Sequence, residues 1–591
     1  MIDMTRIAII GDGLAGRLGA LYFARQMPGV EITMVDPENP DKPIVGESTV
    51  EVTAQFMKSL GLGTYLEENH KHKYGLTYYF KLPEDENDPD APEYILHEAP
   101  GVVRLPAYNL NRHLFDAELG RRIDPYVSHI KGKVTDVDFS EDMDGTHSVK
   151  VMTSDGDMLT VEADHVVDCS GRARVLTRQM ELEMDPPYQR SSYWFRLSGF
   201  DRSILTGLKL VKPKHHCYDS YYVTHHFYGQ GYWIWIIPMS SEDGQDMVSI
   251  GITYRSDVSG EKAMNMDKML EILDRDHPKV AALIRTGNKV DEARYFNYLY
   301  EAKKYYDPKG RWFMLGDSAF AFDPANSFGI AYLGHQVPQI TSMILKARKG
   351  MLSPDYVMAM EGHVKSQLTV QDQLSQRYEV MHDPIKMAWT LVFNNMAYFH
   401  ILLPDFISGA FLNAGVAKRL SMVLKRMPPM KQGPAYPFPM ILDKLAMTDD
   451  ADEIIRRAPA FYDKAIPFNY YRPDDINRGR LAGGYFYKRA WMRNKALKLL
   501  QWWKEPSLYR LAAKGYLGSL GDLLVAGLLT LRPQAYDRVT SKEPEMMSAF
   551  TPPSSFLFPP KSEMMAHEAV VEEMPEKMEK KPEMAATAAV A

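Results

Sequence analysis

Cysteine is nearly absent from this chain. Two residues, Cys169 and Cys217, stand in 591 positions. That excludes a disulfide framework and suits a reducing compartment. No Cys/His group has the spacing of zinc ligands. The pairs His215–His216 and His225–His226 are sequence neighbours, so in strands their side chains point to opposite faces. They read as surface or cleft-wall histidines and not as ligands. A net basic charge is lacking too: the formal net charge is −7. A nucleic-acid footprint would need a basic face. No apolar run reaches the ~18 residues of a membrane span. The nearest, Ile401 to Val416, contains Pro404 and Asp405 and reads as a buried helix. The start lacks the basic, apolar and small-residue segments of a signal peptide. A cytoplasmic location is the expectation.

What the chain does have is patterning. The hydrophobic fraction is 45%, ordinary for a packed globular protein. Over 1–350, short apolar strands alternate with helical patterns, which predicts an α/β fold. Val161 to Cys169 and Arg311 to Leu315 read as strands. Aromatic, alternating segments at Ser192–Ser198, Tyr221–Phe227 and Gly231–Pro238 predict an additional substrate-domain sheet. Region 351–540 reads as mainly helical. Region 541–591 is rich in Pro, Met, Glu and Lys and is expected to be a disordered tail.

The first strand, Arg6 to Ile10, runs into Gly11-Asp12-Gly13-Leu14-Ala15-Gly16. A helix to about Gln26 follows, then a strand ending in Asp36. This is the full setting of a Rossmann-type dinucleotide site. Gly11 makes the turn, Gly13 admits the pyrophosphate, and Gly16 lets helix and strand approach. Leu14 and Ala15 open the helix whose N-terminus faces the anion. Asp36 is placed for the ribose. Two later segments favour FAD over NAD: Val167-Asp-Cys-Ser-Gly171, and Gly316-Asp317 after a strand. The pair resembles that of FAD enzymes related to aromatic hydroxylases. Asn109 to Asp116 resembles the segment that places an arginine, here Arg112, beside the flavin. A surface salt bridge is the other reading of Arg112.

Further motifs resemble the flavin-dependent halogenases, the tryptophan-halogenase family. Gly46-Glu47-Ser48-Thr49 resembles the loop beside the isoalloxazine, with Glu51 near the place of the usual proline. Trp233-Ile-Trp235-Ile-Ile-Pro238 matches the family signature in full. Pro324-Ala-Asn-Ser327-Phe328-Gly329-Ile330 resembles the stretch along the flavin. Lys73, ahead of an aromatic strand, corresponds to the family's essential lysine, although Lys71 and Lys81 are nearby alternatives. The tryptophans also admit a simple core reading.

The resemblance implies an FAD-binding, aromatic-hydroxylase-like fold and an FADH2-dependent reaction. Halide would be oxidised at the flavin to hypohalous acid. Ser327, Phe328 and Gly329 would form the halide-binding nest. Trp233, Trp235 and Pro238 would separate flavin from substrate, and Lys73 would activate the oxidant for an electron-rich ring. A separate flavin reductase would supply reduced FAD. Tryptophan-type members carry a glutamate where this chain has Asn326. That departure favours a phenol, pyrrole or carrier-tethered substrate over free tryptophan, with Glu47 as an alternative carboxylate. A monooxygenase or reductase on the same fold, and an accessory flavoprotein that assists maturation of a partner, are the competing readings.

Overall fold

The computed structural model describes residues 5–418, apart from short stretches of which 99–105 and 211–218 are the longest. His215, His216, Cys217, most of the expected helical region and the whole expected tail lie outside the described residues.

Two seven-stranded sheets organise the rest. In the first, Arg6–Ile10 lies between His165–Asp168 and Glu31–Asp36 and is parallel to both. Trp312–Met314 and the start of Val127–Asp138 extend the parallel set outward. An antiparallel pair, His147–Thr153 and Met158–Ala163, completes that sheet. The central strand is buried along Ile7 to Ile10, as its unbroken apolar run requires for a strand covered on both faces. The crossover helix is Leu14–Gln26.

The expected strand Val161–Cys169 is two strands. The break falls at Asp164, whose carboxylate accepts the Arg6 backbone N–H at 2.8 Å and the Arg6 guanidinium at 2.7 Å. A side chain that binds backbone in this way competes with ladder pairing.

The second sheet runs in the order Asn288–Tyr295, Ser191–Ser198, Asp246–Tyr254, Tyr232–Ser240, Thr224–Gly229, Leu76–Lys81, Tyr94–Glu98. Both faces are covered. Tyr193, Phe195, Ile234 and Ile236 pack into one cluster, while Trp194, Trp233 and Trp235 pack into another. Of the surface or cleft-wall reading of His225 and His226, the surface alternative is overturned. Both are buried. His225 sits between the Tyr79 hydroxyl, 2.8 Å away, and the Tyr221 carbonyl, 2.9 Å away. His226 stacks on Tyr78 at 4.9 Å. Burial lowers their pKa values to about 4 and about 3, so both are neutral. The helix Gly329–Arg348 packs on the helices Leu14–Gln26 and Glu51–Ser59. Pro354–Ser375 continues the helical texture expected after residue 351.

Candidate active site

Three strand ends converge at the glycine turn. Gly11 has φ +108°, and a Cβ there would lie 2.5 Å from the Cys169 carbonyl oxygen. A Cβ on Gly16 would lie 2.2 Å from the Gly11 carbonyl oxygen. Neither position tolerates a side chain without moving backbone. Gly13 differs: nothing lies within 4 Å of a Cβ built there, which leaves room for a ligand. It caps the helix without a side-chain hydrogen bond, so the first-turn amides, at Leu14 and Ala15, keep their donors. Asp36 braces the turn by accepting the Asp12 N–H at 2.9 Å. Gly316, at φ +66°, brings the third strand end against Ala15. Asp317 beside it is exposed.

A second group gathers around Gly46 to Thr49. Arg112 is buried, not on the surface. Its Nε and Nη2 donate to the two oxygens of Asp116 at 2.8 Å each. Its Nη1 donates to the Val45 carbonyl at 2.7 Å. The arginine therefore both satisfies a buried carboxylate and pins the loop. Gly46, with φ +101°, leaves space for that guanidinium: a Cβ would stand 3.0 Å from Nη1. Ser48 shares a hydrogen bond with Thr224 at 2.8 Å, and Thr49 exchanges bonds with the Tyr108 backbone. Glu47 is buried with neither carboxylate oxygen in a hydrogen bond. Burial raises its pKa to about 7, against the pull of Arg196 and Arg112. Asn109 Oδ1 is likewise unpaired, while its Nδ2 donates to the Pro238 carbonyl at 2.9 Å.

Lys73 closes the third group. Its Nζ donates to the Thr49 carbonyl at 2.9 Å and reaches Ser327 Oγ at 3.4 Å. Burial lowers its pKa, and the Glu51 charge opposes the shift. Lys71 and Lys81 are partly exposed and lean on Tyr222 and Tyr94, so burial sets Lys73 apart from both. Ser327 is left-handed at φ +59°, between the 3-10 turn Pro324–Asn326 and the helix that opens with Gly329 and Ile330. The Ser327 N–H is spent on the Pro324 carbonyl at 2.9 Å, so the expected three-amide nest reduces to the Phe328 and Gly329 amides, beside a serine hydroxyl that Lys73 reaches.

The tryptophans are buried 5.5 Å apart on one face of their strand. Trp233 Nε1 donates to the Tyr378 hydroxyl at 2.9 Å. That hydroxyl donates in turn to Asp323 at 2.5 Å, and Arg190 pairs with the same oxygen at 2.7 Å. Trp235 Nε1 donates to Ser249 at 3.2 Å. Its ring fills the space beside Gly251, where a Cβ would meet it at 2.1 Å. The Arg190–Asp323–Tyr378 network and Ser249 carry no local sequence signal. Their partners are brought together by the sheet and by the chain after residue 375.

A family model described as tryptophan halogenase matches residues 6–85 and 96–403. The chain belongs to the tryptophan halogenase family. It is 30% identical over 440 residues to the flavin-dependent halogenase chlA of Dictyostelium discoideum, covering 69% of this chain and 71% of that one. It is 24% identical over 360 residues to the tetracycline 7-halogenase of Kitasatospora aureofaciens, covering 55% and 60%. The solved halogenase PltM shares the fold at TM-score 0.58 with 16% identity, over 78% of this chain and 97% of that one. This halogenase is an FAD-dependent enzyme of the oxidoreductase type.

The residues fit that cofactor. The open space at Gly13 suits a pyrophosphate, and the unpaired carboxylate of Glu47 suits the N–H edge of a flavin ring. Among the described residues, no group of three or more His, Cys, Asp or Glu is arranged to hold a metal ion. No helix there is long and apolar enough to cross a membrane.

Proposed function

We propose that this halogenase installs a halogen on an electron-rich ring, a phenol, pyrrole or carrier-tethered equivalent, through hypohalous acid directed by Lys73. The observation that carries the reading is the buried Lys73 ammonium beside the left-handed Ser327 turn. Gly11, Gly13, Leu14, Ala15, Gly16 and Asp36 hold the adenosine and pyrophosphate end of FAD. Gly46, Glu47, Ser48, Thr49, Arg112, Gly316, Asp317, Pro324, Gly329 and Ile330 line its ribityl and ring portions. When bound in its reduced form, the flavin supplies hypohalous acid from oxygen and halide.

The remaining chemistry belongs to the chain. Backbone amides at Phe328 and Gly329 hold the halide, with the left-handed Ser327 turning the chain so that the helix start presents them together. Trp233, Trp235 and Pro238 separate cofactor from organic substrate. The Lys73 ammonium donates to the oxygen of hypohalous acid, and as the carbon–halogen bond forms the oxygen leaves as water. The proton lost from the ring restores the ammonium. Burial makes this exchange accessible by bringing the lysine pKa down towards neutrality. Asn326 is an amide and takes no proton here, so the ring's own hydroxyl or nitrogen must supply the push. A flavin reductase delivers reduced FAD, by contact or by diffusion, and a cytoplasmic setting suits that supply.

The test combines the protein with FAD, a flavin reductase, NADH, oxygen and bromide or chloride, and offers an activated phenol. A product with the halogen isotope pattern is expected. An oxygenated product without halogen would instead support the hydroxylase reading.

A further inference from the structure

Glu51 sits in the first turn of the helix Glu51–Ser59. Its Oε2 accepts the Tyr398 hydroxyl at 2.6 Å, and that hydroxyl oxygen accepts the Val52 N–H at 3.2 Å. The Tyr398 ring stacks on Phe328 at 5.2 Å. Phe328 follows Ser327, which Lys73 reaches, and Lys73 also binds the carbonyl of Thr49, two residues before Glu51. These contacts close a ring: Lys73, Ser327, Phe328, Tyr398, Glu51, Thr49. A tyrosine from the far end of the described chain thereby fixes a carboxylate two residues from the carbonyl that Lys73 binds.

We propose that Glu51, anchored by Tyr398, is a positioning residue that keeps Lys73 in its ammonium form. The inference rests on the role given to Lys73 above. Its physics is simple. A desolvated ammonium loses its proton unless a carboxylate lies close, and a single close opposite charge moves such a pKa by about one unit or more. Glu51 opposes the burial of Lys73, and Tyr398 opposes the burial of Glu51. Lys73 also acts on His226, which burial holds neutral. Without the Glu51 charge, burial would drive Lys73 further towards the neutral amine.

The experiment reads the lysine directly. Holoenzyme labelled with carbon-13 at lysine Cε is titrated by NMR, with the Lys73 signal assigned by its loss in Lys73→Met. Glu51→Gln is expected to shift the Lys73 midpoint down by about one pH unit. Tyr398→Phe should move it less in the same direction, and Glu51→Asp should return it most of the way. In parallel, the alkaline limb of phenol halogenation should move down by the same amount, about tenfold in rate above the midpoint. FAD affinity should stay unchanged. An unmoved midpoint in both Glu51→Gln and Tyr398→Phe would overturn the proposal, whatever the product. A moved midpoint in an enzyme that halogenates nothing would uphold the charge pairing and sink the reading of function instead.

Discussion

Arg112 is asked to do two things, and they are separable. Its guanidinium makes paired 2.8 Å bonds to Asp116 and a 2.7 Å bond to the Val45 carbonyl. In Arg112→Met the Asp116 carboxylate is left buried, with 11% of its side chain exposed. Breaking one partner of a buried pair costs about 3–5 kcal/mol. The slight exposure of Asp116 points to the lower end, about 3 kcal/mol, which is a factor of roughly a hundred in the folding equilibrium. Arg112→Met/Asp116→Leu replaces both charges, and most of that loss should return, because a well-packed apolar pair is often neutral against a buried ion pair. Neither variant restores the donor to Val45. The loop Gly46–Thr49 then stays unpinned, and FAD binding should remain weakened by about tenfold, one lost charge-assisted hydrogen bond. Urea denaturation of the apoprotein reads the first quantity and flavin fluorescence quenching reads the second. A double variant that recovers stability and binds FAD like the parent would refute the loop-pinning role. A single variant as stable as the parent would refute the burial argument.

Three further outcomes follow from the same structure. Gly16→Ala forces a Cβ to 2.2 Å from the Gly11 carbonyl oxygen, so the protein should be isolated without flavin, as seen by its missing visible absorption. Gly251→Ala drives a methyl into the Trp235 ring and should cost about 1–3 kcal/mol by overpacking, measured as a lower urea midpoint. Burial lowers the pKa of His70, His225 and His277 to about 4 and that of His226 to about 3. Depressed folded values mean that the unfolded chain binds more protons below its own histidine pKa of about 6.5. Stability should therefore be full above that pH and fall as pH drops towards 4. Each of these histidines contributes up to about 1.4 kcal/mol per pH unit. His225→Phe should flatten the slope, and an unchanged slope would contradict the buried, neutral assignment.

The nucleotide turn was legible because its chemistry is local. Gly11, Gly16 and the helix start sit within one βα unit, and the backbone closeness that demands glycine comes from that unit and its parallel neighbour strand. The aromatic sheet was legible from its alternation, but the faces were not. His225 and His226 point opposite ways, and the sequence gives no sign that both faces are covered. Asp164 ended a strand through a bond to Arg6, 158 positions away. Glu51 showed the largest gap. Its meaning depends on Tyr398, 347 positions later, and on the desolvation they share with Lys73. The sequence placed Glu51 near an expected proline and offered Glu47 as the alternative carboxylate. In the structure the charges of Arg196 and Arg112 act on Glu47, and the charge of Glu51 acts on Lys73.

The central claim is that Lys73 directs a confined oxidant onto the substrate. It is tested by running halogenation of an activated phenol with excess free methionine, whose thioether consumes hypohalous acid that escapes into solution and becomes the sulfoxide. The parent enzyme should give halogenated phenol that survives the scavenger. Lys73→Met, with FAD still bound and NADH still consumed, should give methionine sulfoxide and almost no halogenated phenol. Scavenger-resistant product from Lys73→Met at the parent rate would contradict the account.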